Sequence, residues 1–210
     1  MTRTLDRARG GWLWLLPVWG KRANVTFRDP LGMKFELDFK LRVDDRAIDS
    51  RGVMSSIDAL RTAYPNLVGL EGAVMVKLDG RVVCDELYEP ILRFVGQWVR
   101  KVPWVVSGDT ETVAFRNSEN CFAFVPAGES VEFSFYVGSE NEVEEYVVEP
   151  TTIRLQAFAE ETLRLGEQLL QMVLGVDPGL VNSDEDCRDL ALSVDEGRKA
   201  WKEHQLHQRR

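Results

Sequence analysis

The sequence predicts an α+β fold: a largely antiparallel β-sheet, built from a meander and hairpins, with two main helices packed on it and a short helical C-terminal extension. Two stretches, 33–43 and 111–149, alternate apolar and polar residues with the period of a strand. Two others, 88–101 and 152–174, repeat apolar residues with the period of a helix. Together they predict a sheet of about eight strands covered by two helices.

The meander is predicted between Glu111 and Glu149, as four short strands in succession. The third strand alternates most clearly, because Val131, Phe133 and Phe135 are separated by single residues that include Glu132. Clusters of Gly, Pro, Asn and Ser, which favour turns, separate the strands at 117–118, 126–129 and 138–141.

Two hairpins are predicted in the first half of the chain. Residues 24–28 and 33–43 flank a turn, and the second of these strands has the most regular alternation in the sequence. Asp79-Gly80 is a strong hairpin signal between the strands 73–78 and 81–85. The predicted core face of the 33–43 strand is Phe35, Leu37, Phe39, Leu41 and Val43, and its predicted solvated face is Lys34, Glu36, Asp38, Lys40 and Arg42.

Shorter helices are predicted from capping residues. Ser55 or Ser56 begins one that Pro65 ends, after a polar linker at 44–52. Two capping-box patterns, which start at Ser183 and Ser193, predict two short helices near the C terminus.

Three regions follow from these patterns: a basic, Trp-rich N-terminal arm at 1–22, an α+β domain at 23–175 and a helical C-terminal extension at 176–210. The arm contains Trp12, Trp14 and Trp19 within or beside a nine-residue apolar run. That run is compatible with a packed strand or docking arm, with a signal-like segment, and with an interfacial membrane anchor. It is far too short to span a bilayer as a helix.

Charge is distributed unevenly. The net charge is −8, yet residues 1–22 and 198–210 each carry +4, so the body at 23–197 carries −16. An acidic body argues against a protein that coats nucleic acid, since such proteins present basic surfaces to phosphates. It is compatible with basic tails that fold back on the body or are simply solvated, and with a partner protein that has a basic surface.

The usual signatures of catalysis are missing from the sequence. The two histidines, His204 and His207, are both near the C terminus, so no mid-chain histidine can activate a nucleophile. The acidic run 182–186 resembles a calcium loop but has Cys187 where glycine is required. There is no phosphate-binding glycine loop. We therefore predict no catalytic residue, no metal site and no cofactor. Three widely separated cysteines indicate a reducing, cytoplasmic location.

The densest acidic cluster is Glu140, Glu142, Glu144 and Glu145, at a predicted turn and the strand that follows it. Such a cluster has two interpretations. It keeps an exposed strand edge soluble, or it docks a cationic partner.

Three functional hypotheses remain. The first is a non-enzymatic protein-binding module, in its most specific form an acidic bacterial antidote, or immunity-type protein, that covers a basic partner; its candidate contacts are the four glutamates and the three tryptophans. The second is an enzyme or small-ligand binder with a carboxylate and an arginine in one pocket. The third is an assembly or membrane-associated subunit that docks through the Trp-rich N terminus. The oligomeric state does not follow from the sequence.

Overall fold

The computed structural model describes residues 32–44 and 46–208, which all fall within one compact unit. These residues form an α+β structure of two antiparallel sheets and seven helices, so the predicted fold class is confirmed. The strands are β1 Phe35–Val43, β2 Arg46–Asp49, β3 Glu71–Leu78, β4 Arg81–Cys84, β5 Tyr88–Pro90, β6 Glu111–Ala114, β7 Asn120–Ala127, β8 Ser130–Ser139 and β9 Glu142–Arg154. The helices are α1 Ser50–Ser55, α2 Ile57–Ala63, α3 Ile91–Arg100, α4 Val102–Ser107, α5 Leu155–Val176, α6 Leu180–Ser183 and α7 Glu185–Gln208.

The first sheet has the strand order β2-β1-β3-β4, and β5 also pairs with β3. All five predicted core residues of β1 are buried, and the charged residues of its other face form ion pairs such as Arg42–Glu71 and Lys40–Asp85. The predicted alternation is therefore confirmed. The predicted polar linker at 44–52 is wrong in part, because residues 46–49 pair with β1 and α1 begins at Ser50. The predicted strand at 24–28 lies outside the described residues.

A side-chain pair on α5 satisfies the backbone of β1 where β2 does not reach. The amide of Leu37 donates a hydrogen bond to Glu161 Oε2 at 3.0 Å, and the Leu37 carbonyl accepts one from Arg164 Nη2. Glu161 and Arg164 are themselves joined by an ion pair of 2.7 Å. Because an unpaired strand edge invites further strand pairing, this pair protects β1 while it fixes α5 against the sheet.

The second sheet, which we call the meander sheet, has the strand order β6-β7-β8-β9. The four predicted strands are present, but the last runs from Glu142 to Arg154 rather than ending near Val148. The β-branched residues Thr151, Thr152 and Ile153 pair with β8, so the following helix begins at Leu155 instead of Thr152.

Helix α3 packs against the aromatic face of the meander sheet. Its Trp98 is fully buried, with ring centroids 4.8 Å from Phe122 and 5.6 Å from Phe124. The two sheets also meet directly, since Phe35 of β1 lies 5.5 Å from Phe133 of β8. The single predicted sheet of about eight strands is therefore two sheets, of five and four strands, that share one core.

The start of α3 also differs from the prediction. Residues 88–90 form β5 instead of the first helical turn, and Pro90 precedes the helix. Proline has no amide hydrogen and a fixed φ angle, so it suits a position just before or at the start of a helix.

A glycine on α5, Gly166, permits close packing between helices. A methyl group at Gly166 would approach Val99 of α3 to 2.7 Å and Val194 of α7 to 2.9 Å. The close neighbours of Gly166 therefore lie on two other helices. The helix-propensity cost of this glycine, about 1 kcal/mol, is offset by the packing that it allows.

The C-terminal residues form one long helix, α7, rather than a second short helix capped by Ser193. Ser193 is buried in the middle of α7, and the carboxylate of Asp184 caps the helix by accepting a 2.9 Å hydrogen bond from the Cys187 amide. A helical stripe that includes Leu190 and Val194 packs on α3 and α5, so burial overrides the local capping signal. No described helix is long and apolar enough to cross a membrane.

We expect Leu37→Ala to lower the free energy of unfolding by roughly 2–5 kcal/mol, because it removes a buried side chain from the strand whose register orders the first sheet. The matched control is Leu192→Ala on the exposed face of α7, which should change stability little. Urea titration of both variants measures the difference. Equal, small losses in the two variants would contradict the observed register.

Candidate functional site

The four glutamates of the predicted docking cluster lie together at one end of the meander sheet. Glu140 is in the β8–β9 turn, and Glu142, Glu144 and Glu145 follow on β9. All four side chains are exposed. We call the segment 138–147 the acidic hairpin.

A β-bulge shapes the acidic hairpin. Val137 pairs with Glu145, but Gly138 pairs with Val143, so Glu144 is an extra residue on β9. A bulge of this kind increases local twist and redirects side chains. The glutamates therefore do not follow the simple alternation of a regular strand.

The bulge requires glycine at position 138. Gly138 has a φ angle of +143°, and a side chain there would collide with the carbonyl oxygen of Glu142. The Gly138 amide also donates a 2.7 Å hydrogen bond to the carbonyl of Glu119. These contacts tie the tip of the hairpin to the neighbouring part of the sheet, so the glutamates are held in a defined arrangement.

Exposed apolar side chains accompany the acids on β9. Val143, Tyr146 and Val147 are 42%, 39% and 53% exposed. Among the described residues, β9 is also an edge strand of the meander sheet, and its outer side is bridged only near its end, where Met33 pairs with Ile153. Apolar side chains beside an unpaired strand edge are typical of surfaces that bind other proteins.

The charge of this region is strongly one-sided. Residues 102–153 contain ten acidic residues and a single cation, Arg116. Charges of one sign add to produce a long-range field that accelerates the approach of an oppositely charged partner. Residues 102–153 therefore carry −9 of the body's −16, and residues 154–197 carry the remaining −7.

The other predicted contacts, Trp12, Trp14 and Trp19, lie outside the described residues. Docking through the N-terminal arm, and any membrane contact that it makes, stay predictions.

The cysteines are poorly suited to nucleophilic chemistry. All three are free and buried. Burial raises the pKa of the Cys84 and Cys187 thiols to about 12, and it also raises the pKa of Cys121. The thiolate is the reactive form, so a raised pKa suppresses reactivity at neutral pH.

The two histidines occupy the last turns of α7. His204 stacks on Trp201 with ring centroids 5.3 Å apart, and His207 Nδ1 lies 2.8 Å from the Glu203 carbonyl oxygen. Within residues 32–44 and 46–208, no group of three or more His, Cys, Asp or Glu side chains is placed to hold a metal ion.

A cleft that sequence reasoning did not locate lies between α3 and β6. It has a volume of about 600 Å³ and combines arginines with carboxylates, including Arg93, Arg116, Glu89 and Glu140. Its residues come from separate parts of the chain, so no local motif marks it. An arginine-and-carboxylate pocket was the basis of the second functional hypothesis.

No protein family model matches the chain, and neither the curated proteins nor the solved structures contain a significant match to it.

We expect all three cysteines to resist 5,5′-dithiobis(2-nitrobenzoic acid) in the native protein at pH 8, because burial blocks access and keeps the thiols protonated. In a denaturant, all three should react. Rapid reaction of one equivalent in the native protein would show an accessible, activated thiol and contradict this account.

We expect Gly138→Ala to rearrange the acidic hairpin and to cost on the order of 1–3 kcal/mol, because only glycine tolerates its backbone angle and its contact with Glu142. Gly128→Ala, in the β7–β8 turn, is the control: its φ angle is also positive, at +64°, but nothing lies within 4 Å of the added methyl group. Unfolding experiments and amide chemical shifts compare the two variants. If both cost the same and the shifts of residues 138–147 stay unchanged, the glycine is not required for the bulge.

Proposed function

We propose that this chain is a protein-binding module that docks a basic partner protein through the acidic hairpin. The observation that carries the proposal is the coincidence, at one sheet edge, of four exposed glutamates with the exposed side chains of Val143, Tyr146 and Val147. Charge complementarity selects a partner surface rich in lysine and arginine.

The two kinds of side chain contribute differently to such an interface. The glutamates speed encounter, whereas the apolar residues lose water-accessible area once the partner is bound. Solubility alone accounts for charges along an exposed edge, but it does not account for apolar residues left exposed beside them.

The specific version of this proposal is an acidic antidote that covers a basic toxin. An antidote of this kind acts by occupying a surface and needs no catalytic group of its own. The proposal of an antidote is supported by the charge of residues 102–153, which contain ten acidic residues and one cation. The acidic field there would accelerate capture of the toxin, which is an advantage for an antidote.

The proposal is tested by replacing Glu140, Glu142, Glu144 and Glu145 with Gln. The matched control replaces four exposed acids on α5 and α7, Glu160, Asp195, Glu196 and Glu203, with their amides. Both variants change the net charge by the same amount. Exposed charges contribute little to stability, so both should fold like the wild type.

A two-hybrid screen of a genomic fragment library compares the three proteins. We expect partners with basic surfaces that bind the wild type and the control but not the hairpin variant. For such a partner, stopped-flow measurements should show slower association with the hairpin variant and a weaker dependence on salt, because fewer charges remain to be screened. If every partner binds the hairpin variant at the wild-type rate at low salt, the acidic hairpin is not the docking site.

A further inference from the structure

We infer that the cleft between α3 and β6 is a second binding site, which takes an acidic peptide segment in extended conformation that pairs with the free edge of β6. The inference does not rest on the proposed docking of a basic partner, although Glu140 belongs to both surfaces. Three features of the cleft carry the inference: its backbone edge, its cationic wall and its apolar floor.

The backbone edge of β6 faces the cleft. The Phe115 amide donates a 2.9 Å hydrogen bond to the Asn120 carbonyl, and Val113 pairs with Phe122, so these residues direct their backbone groups toward β7. Alternate residues of an antiparallel strand point to opposite sides, so Thr112 and Ala114 direct theirs away from β7. Among the described residues, no strand pairs with that side.

The opposite wall is the polar face of α3. Arg93, Gln97 and Arg100 are exposed and lie along one side of the helix, because they are spaced by four and three residues. A peptide that pairs with β6 would therefore have its side chains next to two guanidinium groups. A groove between a strand edge and a helix is a known way to bind extended peptides.

The positive charge of the cleft that is available to a ligand carboxylate is mainly that of Arg116, because each of the other three cations lies near an acid. Four cations line the cleft, namely Arg93, Arg100, Lys101 and Arg116, against two acids, Glu89 and Glu140. Arg100 forms an ion pair with Asp189 at 2.9 Å, and Lys101 forms one with Glu111 at 2.6 Å. Arg93 interacts electrostatically with Asp186. Arg116 is exposed and forms no ion pair with any residue that the structure describes. It is the cation best placed to receive a carboxylate, and arginine binds carboxylates in a two-pronged geometry.

Aromatic side chains form the floor of the cleft, and a hydrogen bond closes one of its ends. The rings of Phe94 and Phe115 pack with centroids 4.7 Å apart beneath it. At one end the buried Glu89 carboxylate accepts a 2.8 Å hydrogen bond from the Asn117 amide, which ties β5 to the residues after β6. The four residues of β6 span about 13 Å at the rise of a strand, which is room for roughly four ligand residues.

A random dodecapeptide library displayed on phage tests the inference without an identified ligand. Peptides selected on the full chain should include a class enriched in Asp and Glu relative to the unselected library. When such a peptide binds ¹⁵N-labelled protein, hydrogen exchange of the Thr112 and Ala114 amides should slow, because these amides would then donate hydrogen bonds to the peptide strand.

Two substitutions separate the contributions of the Arg116 guanidinium and of the strand edge. Arg116→Ser should weaken binding of the acidic peptide about tenfold, the loss expected for one charge-assisted hydrogen bond, whereas Arg81→Ser on β4 is the matched control and should not. Ala114→Pro removes the outward amide but leaves the β7 ladder, since proline is tolerated on edge strands. It should also weaken binding about tenfold, whereas Ala114→Ser should bind like the wild type.

A substitution at Glu140 distinguishes binding at this cleft from docking at the acidic hairpin. Glu140 lies at the cleft, so Glu140→Gln should strengthen binding of the acidic peptide while it weakens docking of a basic partner. Failure to enrich acidic peptides, unchanged exchange at Thr112 and Ala114, or equal binding by Arg116→Ser and Arg81→Ser would each overturn the inference. None of these outcomes bears on the basic partner.

Discussion

The packing of Trp98 against the aromatic face of the meander sheet is the interaction on which the rest of the structure depends. Its ring contacts Phe122 and Phe124, and such aromatic pairs add about 0.5–1.5 kcal/mol each beyond the area that they bury. The indole Nε1 finds no hydrogen-bond partner among the described residues, which costs on the order of 1–3 kcal/mol. The contact is nevertheless central, because it orients α3 so that Arg93 and Arg100 face the cleft.

A second constraint is that backbone groups on an unpaired stretch of a strand need hydrogen-bond partners. On β1, Glu161 and Arg164 satisfy the backbone of Leu37 directly. On β9, exposed glutamates surround apolar side chains, and on β6 the edge faces a cleft that is lined by four cations and two acids. The first solution closes the edge with the chain's own side chains. Along the acidic hairpin and along β6, no described strand pairs with the outer edge, and these are the edges at which we place binding.

The parts of the fold that depend on local pattern could be predicted from the sequence. The alternation of β1 predicted its buried face, and Asp79-Gly80 predicted the β3–β4 hairpin. The division into two sheets could not be predicted, because it depends on pairing between distant strands. The helix start predicted at Ser193 was wrong because a capping signal is local, whereas the length of α7 is set by its burial against other helices. The acidic hairpin could be predicted because its glutamates are adjacent in the sequence. The α3–β6 cleft could not, because its residues come from separate segments of the chain.

The most direct test of the central claim, docking of a cationic partner by the acidic hairpin, is an NMR titration of the ¹⁵N-labelled chain with hexalysine. The account predicts that the largest amide shifts fall within residues 138–147 and that they decrease as salt is added. Exposed acids on α7, such as Asp195 and Glu196, provide an internal comparison and should shift less. Shifts spread evenly over all exposed acids, or largest on α7, would contradict the claim that the hairpin is a specific docking surface.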